Sequence, residues 1–373
     1  MELLVLSWFV VTETESPFLL GLFGALRFFG ALFGAAFGVV VDRSNRRRLL
    51  IGVRMVFVAL SAAILLLVLT ERLQPWHVFI LTGFGGLARA LDNITRQTLL
   101  ADIVRREELI NAMALTRTGA DASQMVGPLV GGALLSRFDM GPAVAAIVAV
   151  YLMSAASAFL LRPTSPAPAQ SAPSMWRHLA EGGRYIRNHD AVLALILFSF
   201  LINLAAFPLT HGMMPIFAQD VLNTGPMGLA ALSSAVAAGA FAGSFGLAAR
   251  SHVARPGIFV TLAVVGWLAS LLLFSQSHWL GLSLAILLVA GVGQSFSLVT
   301  MDTSLLRLAP VELRGRIMGV RSMAVYGLPM GLLMVGALAG ILGGPAALAI
   351  CTVGGVALTV LIATRLRGLW ALP

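Results

Sequence analysis

The sequence predicts an all-α protein that crosses a membrane many times, as two six-helix bundles with an incomplete first span. Three observations predict it. Hydrophobic residues make up 58% of the 373-residue chain and charged residues only 11%, more apolar surface than a soluble domain can bury. Long apolar runs alternate with short polar loops along the whole length. The two halves echo each other at a spacing of about 205 residues, the internal repeat expected of a membrane transporter. In that repeat Glu108-Leu109 and Arg117 correspond to Glu312-Leu313 and Arg321.

The first run, Met1 to Thr12, reaches roughly 18 Å against about 30 Å of hydrocarbon. It reads as the outer half of a span whose beginning is missing, and an upstream start is expected. The second span is expected over 16–41, the third over 49–70, the fourth over 78–100, the fifth over 109–135 and the sixth over 142–161. Proline and small polar residues from Pro163 to Ser174 rule out a regular helix and mark a linker. Met175 to Asp190 reads as a short basic amphipathic helix. Six further runs follow, near 191–217, 226–249, 257–275, 279–303, 317–342 and 345–364. The expected domains are therefore 1–162, a cytoplasmic linker 163–190, and 191–373.

The net charge of +9 resides in loops and orients the protein, so no nucleic-acid partner is expected. Two loops assigned to the outside carry only Arg72 and Arg137, whereas loops such as 42–48 and 314–316 are arginine-rich. Such loops stay in the cytoplasm, which places both ends of the full-length protein inside. All 25 basic residues are arginine. A Walker-type phosphate loop and a lysine Schiff base are thereby excluded, and no enzyme activity is expected. The six histidines are scattered, so neither a metal nor another cofactor is expected. The single cysteine, Cys351, reads as a packing residue.

The loop between the second and third spans reads GVVVDRSNRRRLL, Gly38 to Leu50. It resembles the signature loop of the major facilitator superfamily, with Gly38, Asp42, Arg43, Arg46 and Arg47 in register. Asn45 stands where glycine is usual, a position where tolerance of the left-handed conformation is expected to matter. Asn93 to Gly119, and Met213 to Gly243, resemble the enterobactin-exporter and macrolide-efflux branch of that superfamily. SQMVGPLVGG, Ser123 to Gly132, resembles the fifth-span motif of its antiporters. There Pro128 is expected to kink the helix, while Gly127, Gly131 and Gly132 allow close packing.

Charges inside spans are costly and therefore functional candidates. Arg27 lies about eleven residues into the second span, and Gly24, Ala31, Gly34 and Gly38 on its face invite a neighbouring helix. Arg89, Asp92, Asn93 and Arg96 share one face of the fourth span; Arg96 reads as snorkelling to the surface. The resemblance implies a cavity-lining role for that span and a coupling role for Arg89. On the fifth span Arg117, Asp121, Gln124 and Pro128 fall within about 60° of one another. Asp121 is the first candidate proton carrier, and a fixed Arg117–Asp121 pair is the structural alternative. Asn203, His211 and Gln294 in the second half read as satisfied core groups.

The resemblance implies a monomeric secondary transporter in a bacterial inner membrane, exporting a small amphipathic molecule in exchange for protons. Asp42 is expected to hold the inner gate. An uncoupled facilitator or uptake transporter, or a non-transporting receptor or scaffold, remains the alternative.

Overall fold

The computed structural model describes residues 1–104, 108–161, 183–249, 255–310 and 313–370. The described residues are helices joined by short turns. Contacts divide them into two compact units: one holds the helices up to Phe159 together with Thr224–Ala230, the other holds the rest. Among the described residues, eight helical segments are long and apolar enough to cross a membrane, or nine if one bent pair counts as a single span. This is a polytopic all-α membrane protein. The expected linker at 163–174 lies outside the described residues, as does most of the expected amphipathic helix; residues 183–187 of the latter are helical.

The first unit begins with α1 (Glu2–Thr14) and α2 (Pro17–Phe28). Ser16 caps α2 by accepting from the Leu19 amide at 3.4 Å, and Pro17 supplies the fixed φ of a first helical residue. The single span expected over 16–41 is interrupted. Phe29–Phe33 is 3-10 helix, and α3 (Gly34–Arg43) follows. The interruption falls where Gly30 meets α5 (Pro75–Ile103) backbone to backbone. A Cβ on Gly30 would lie 2.7 Å from the Gly86 carbonyl carbon, and one on Gly86 would lie 2.9 Å from the Arg27 carbonyl oxygen. Gly34 and Gly38, expected to make this approach, face open space. Periodicity identified a small-residue face, but the 3-10 stretch shifts the register so that Gly30 takes the contact.

Asn45 also differs from expectation. Its backbone is extended (φ −69°), and its side chain accepts from the Arg48 amide at 3.1 Å. It is the N-cap of α4 (Arg46–Leu69), a role that contributes about 1 kcal/mol and needs no left-handed residue. α6 (Leu109–Phe138) runs through Pro128, and α7 (Met140–Phe159) completes the unit. At 29 and 30 residues, α5 and α6 are long enough to cross a bilayer, but both carry charges, Arg89, Asp92 and Arg96 on α5 and Arg117, Asp121 and Arg137 on α6. Glu15, Glu71 and Asp139 turn the chain between helices with positive φ of 47°, 54° and 66°. All three turns lie at the end of the unit opposite the Asp42–Asn45 loop.

In the second unit, α8 (Asp190–Ala205) continues through π turns at Leu209–Met213 and Phe217–Val221. The helices α9 (Pro226–Ala248), whose first residues up to Ala230 belong to the first unit, α10 (Pro256–Ser275) and α11 (Leu280–Leu308) follow. The last three are α12 (Arg314–Met323), α13 (Gly327–Leu342) and α14 (Gly344–Arg365). Its core is built on fully buried Trp267, Phe198, Phe217 and Phe274. Gly239 and Gly291 bring α9 and α11 to backbone contact: a Cβ on Gly291 would lie 2.7 Å from the Ala240 nitrogen. Asn203 and His211 are satisfied as expected. The Asn203 amide donates to Ser199 at 2.8 Å, and His211 Nδ1 lies 3.2 Å from the Phe207 carbonyl. Gln294 departs from that expectation, because its buried Oε1 has no hydrogen-bond partner.

Candidate functional site

The charged centre of the first unit forms around a residue that the sequence did not single out. Glu2, on the first turn of α1, receives side chains from three other helices. Arg27 of α2 approaches its Oε1 at 3.5 Å, and Arg89 of α5 donates to its Oε2 at 3.1 Å. The Tyr151 hydroxyl of α7 donates to the same Oε2. Arg89 and Tyr151 sit well inside their helices, fifteenth of 29 and twelfth of 20, and Arg27 lies one residue before α2 gives way to the 3-10 stretch.

Aromatic rings fix the geometry. Phe57 of α4 stacks on Tyr151 with centroids 5.2 Å apart and planes 11° from parallel. The Arg89 guanidinium lies 5.5 Å from the Phe57 centroid, a cation–π distance. The Gly30–Gly86 contact holds α2 and α5 together one turn away, which sets Arg27 and Arg89 on the same carboxylate. Two guanidiniums face one carboxylate, so the cluster carries a formal charge of +1 within an apolar bundle. A small cavity opens beside Glu2, lined by Phe57, Ser61, Thr82, Gly85 and Tyr151 among others.

A second ion pair lies nearer the Asp42–Asn45 loop. Arg54 Nε is 3.7 Å from Asp92 Oδ1, and Arg54 also donates to the Ser154 carbonyl at 2.6 Å. The expected shared face of Arg89, Asp92, Asn93 and Arg96 is therefore divided. Arg89 turns to Glu2 and Asp92 to Arg54, while Arg96 and Gln97 donate to the Asn93 side-chain oxygen Oδ1. At the loop itself, Arg46 pairs with Asp102 near the end of α5, and more loosely with Asp42 at 3.8 Å. Arg47 donates to the Phe159 carbonyl at the end of α7 at 2.7 Å, satisfying one of the orphan acceptors of a helix C-terminus. Arg43 and Gly38 lie on α3, where Gly38 faces open space.

On α6, Gly127 and Gly131 pack against Met1: a Cβ on Gly131 would lie 3.0 Å from Met1 Cγ. Gly132 meets the backbone of Pro226. Asp121 is half-buried and Gln124 exposed; Asp121 sits about 9 Å along α6 from the Met1 contact. The Arg117 side chain lies outside the described residues. No group of metal-ligating side chains occurs among the described residues.

Glu2 and Tyr151 were missed because the first run was read only for its length and α7 only for its apolar character. The available signal was the rule applied to Arg27: an ionisable residue within a hydrophobic run is costly and needs a partner. Arg54, eight residues after Arg46, carried the same signal.

Comparison with known proteins accords with this architecture. Macrolide efflux protein A of Streptococcus pyogenes is 22% identical over 264 residues, 70% of this chain and 65% of that protein. The match thus spans just under two thirds of that relative's length. Enterobactin exporter EntS of Shigella boydii serotype 4 is 24% identical over 324 residues, covering 82% of this chain and 73% of the exporter. The fold matches the nucleoside transporter NupG, with a TM-score of 0.71 at 14% identity over 97% of this chain and 93% of NupG. It also matches a bacterial homolog of the human lysosomal transporter Spinster, with a TM-score of 0.68 at 15% identity over 99% and 93%. Residues 3–332 match the Major Facilitator Superfamily, and the chain belongs to it.

Proposed function

We propose that this chain exports a small, partly apolar molecule across a bacterial inner membrane in exchange for protons, with Glu2 carrying the proton. The observation that carries the reading is the Glu2–Arg27–Arg89–Tyr151 cluster. A carboxylate within an apolar bundle keeps its charge while guanidiniums hold it, and takes a proton when they withdraw. Glu2 stands on a different helix from both arginines, so a shift of α1 against the joined α2 and α5 changes the number of charges facing Glu2. Such a group can bind a proton in one conformation and release it in the other. Glu2 takes precedence over Asp121 because side chains from three other helices converge on its carboxylate. Export is the direction named for the macrolide and enterobactin relatives. Arginine-rich loops such as Asp42–Arg48 face the cytoplasm, and Asp42 gates the inner side through Arg46.

Everted membrane vesicles test this. Respiration acidifies their lumen, and an antiporter then accumulates added ethidium or erythromycin. The expected result is accumulation that collapses with nigericin and is absent in Glu2→Gln. Gradient-dependent accumulation that persists unchanged in Glu2→Gln refutes Glu2 as the carrier. Movement of both probes only out of the lumen refutes export.

A further inference from the structure

The cavity beside Glu2 extends away from the arginine loop, between α1, α4, α5 and α7. Its depth follows from the helix rise of 1.5 Å per residue. Glu2, Phe57, Gly85 and Tyr151 lie about 15–18 Å from the Glu15, Glu71 and Asp139 ends of their helices. Ser61 and Thr82 lie about 10–12 Å from those ends, and Ile64, Leu81 and Val144 about 6–9 Å. All nine line the cavity. It therefore climbs from Glu2 toward the face opposite the arginine loop, entirely within the first unit.

The space open to the centre of a water molecule is about 20 Å³, enough for one or two waters. Thr82 gives this largely apolar space a polar point. It is 6% exposed, and its buried hydroxyl oxygen has no hydrogen-bond partner. Lower on the same helix, Thr95 and Thr98 donate to the Leu91 and Ile94 carbonyls, the usual solution for a hydroxyl in a helix. A buried hydroxyl left without a partner costs more than it gains unless water completes it. Ser61 donates to the Phe57 carbonyl at 2.8 Å, leaving its lone pairs free to accept from the cavity.

We propose that this cavity is a hydrated proton path from the outer face to Glu2, separate from the route taken by the transported molecule. A proton arriving at Thr82 is accepted by its oxygen, and the hydroxyl proton passes to water. The water passes a proton to the Glu2 carboxylate, which becomes the neutral acid. About 7 Å of depth separates Thr82 from Glu2, a gap that two hydrogen-bonded waters bridge. Ile64, Leu81 and Val144 form an apolar rim at the outer end that closes the path. The described charged and titratable groups that face Glu2 are Arg27 on α2, Arg89 on α5, Tyr151 on α7 and the Met1 amino group at the start of its own helix. Asp92 lies beyond Arg89 on α5, and α6 presents Gly127 and Gly131 to the start of α1 and carries Asp121 further along. This inference rests on the proton-carrier reading of Glu2 and on the orientation given above.

X-ray hydroxyl-radical footprinting of the full chain in nanodiscs tests the hydration directly, because bound water labels the side chains around it. Phe57 and Tyr151 are expected to oxidise at least five times faster than the fully buried Phe23. Thr82→Val removes the hydroxyl at constant shape. Gly85→Ala fills the space, since its Cβ would lie an ordinary 3.9 Å from Leu60. Both variants are expected to lower labelling and gradient-driven ethidium accumulation at least five-fold, leaving ethidium exchange at equal pH within two-fold of wild type. Thr82→Ser is expected to retain all three. Wild-type labelling no faster than Phe23 overturns the path, as do variants that lose labelling yet keep gradient-driven transport. Glu2→Gln in everted vesicles judges the carrier separately: if it keeps the gradient response, the carrier reading falls and this path falls with it.

Discussion

Removing the charge of Glu2 should destabilise the first unit more than removing one of its arginines, and removing both charges together should restore part of the loss. At an effective dielectric constant of about 20, charges 3.1–3.5 Å apart attract by about 5 kcal/mol before desolvation is subtracted. Breaking a fully buried pair from one side typically costs about 3–5 kcal/mol; the Arg27, Glu2 and Arg89 side chains are 14%, 23% and 37% exposed, which lowers the range to about 2–4 kcal/mol. Glu2→Gln leaves two guanidiniums, Arg27 and Arg89, without their shared counter-charge and belongs at the upper end of that range. Arg89→Gln leaves Glu2 still paired with Arg27 and bonded to Tyr151, and belongs at or below its lower end. The double variant leaves only Arg27 unpaired, so a double-mutant cycle should give a favourable coupling of about 1–3 kcal/mol. Thermal unfolding in one detergent, followed by the circular dichroism of the helices, reports all four proteins. Strictly additive losses would show that the three charges do not act as one cluster. A Glu2→Gln protein as stable as wild type would remove the cluster from the account altogether.

Two further perturbations separate packing from gating. Gly86→Ala should cost about 1–3 kcal/mol by forcing α5 away from the Leu26 and Arg27 carbonyls, whereas Gly34→Ala, facing open space, should be neutral by the same melting assay; equal melting temperatures would deny the close approach. Asp42→Asn should leave stability within about 0.5 kcal/mol of wild type, because its side chain is 65% exposed and 3.8 Å from Arg46, yet it should slow transport severely if Asp42 gates. Asp102→Asn removes the partner that Arg46 holds more closely, at 26% side-chain exposure, and should lower stability by about 1–3 kcal/mol; unchanged transport by Asp42→Asn would leave Arg46–Asp102 as the functional contact of the loop.

Much of this fold was legible in the sequence because hydrophobic runs of membrane length have few alternatives: in lipid a chain must satisfy its backbone within a helix. The helices observed at 46–69, 140–159, 226–248, 256–275 and 344–365 lie within a few residues of expectation. Where expectation failed, the deciding term was tertiary. The span over 16–41 is uniformly apolar, and nothing local predicts a 3-10 stretch at Phe29–Phe33; it forms where Gly30 must fit against Gly86, a residue over fifty positions away. Asn45 was read for its tolerance of one backbone conformation, yet its side-chain oxygen found the more favourable role of capping α4.

The site was legible in its parts and not in its assembly. Arg27, Arg89 and Asp92 stood out as intramembrane charges, and each does have an ionic partner. Periodicity places residues on one face of their own helix, but it cannot tell which neighbouring helix that face meets. Arg89 and Asp92, three residues apart on α5, therefore turn to different partners, Glu2 on α1 and Arg54 on α4. Glu2 completes the set because the cost of Arg27 and Arg89 inside a bilayer demands a counter-charge at their depth. Among the described residues it is the carboxylate that both arginines reach. The demand could be stated from the sequence; the residue that meets it, at the very start of the chain, could be found only once α1 was packed between α2, α5 and α7.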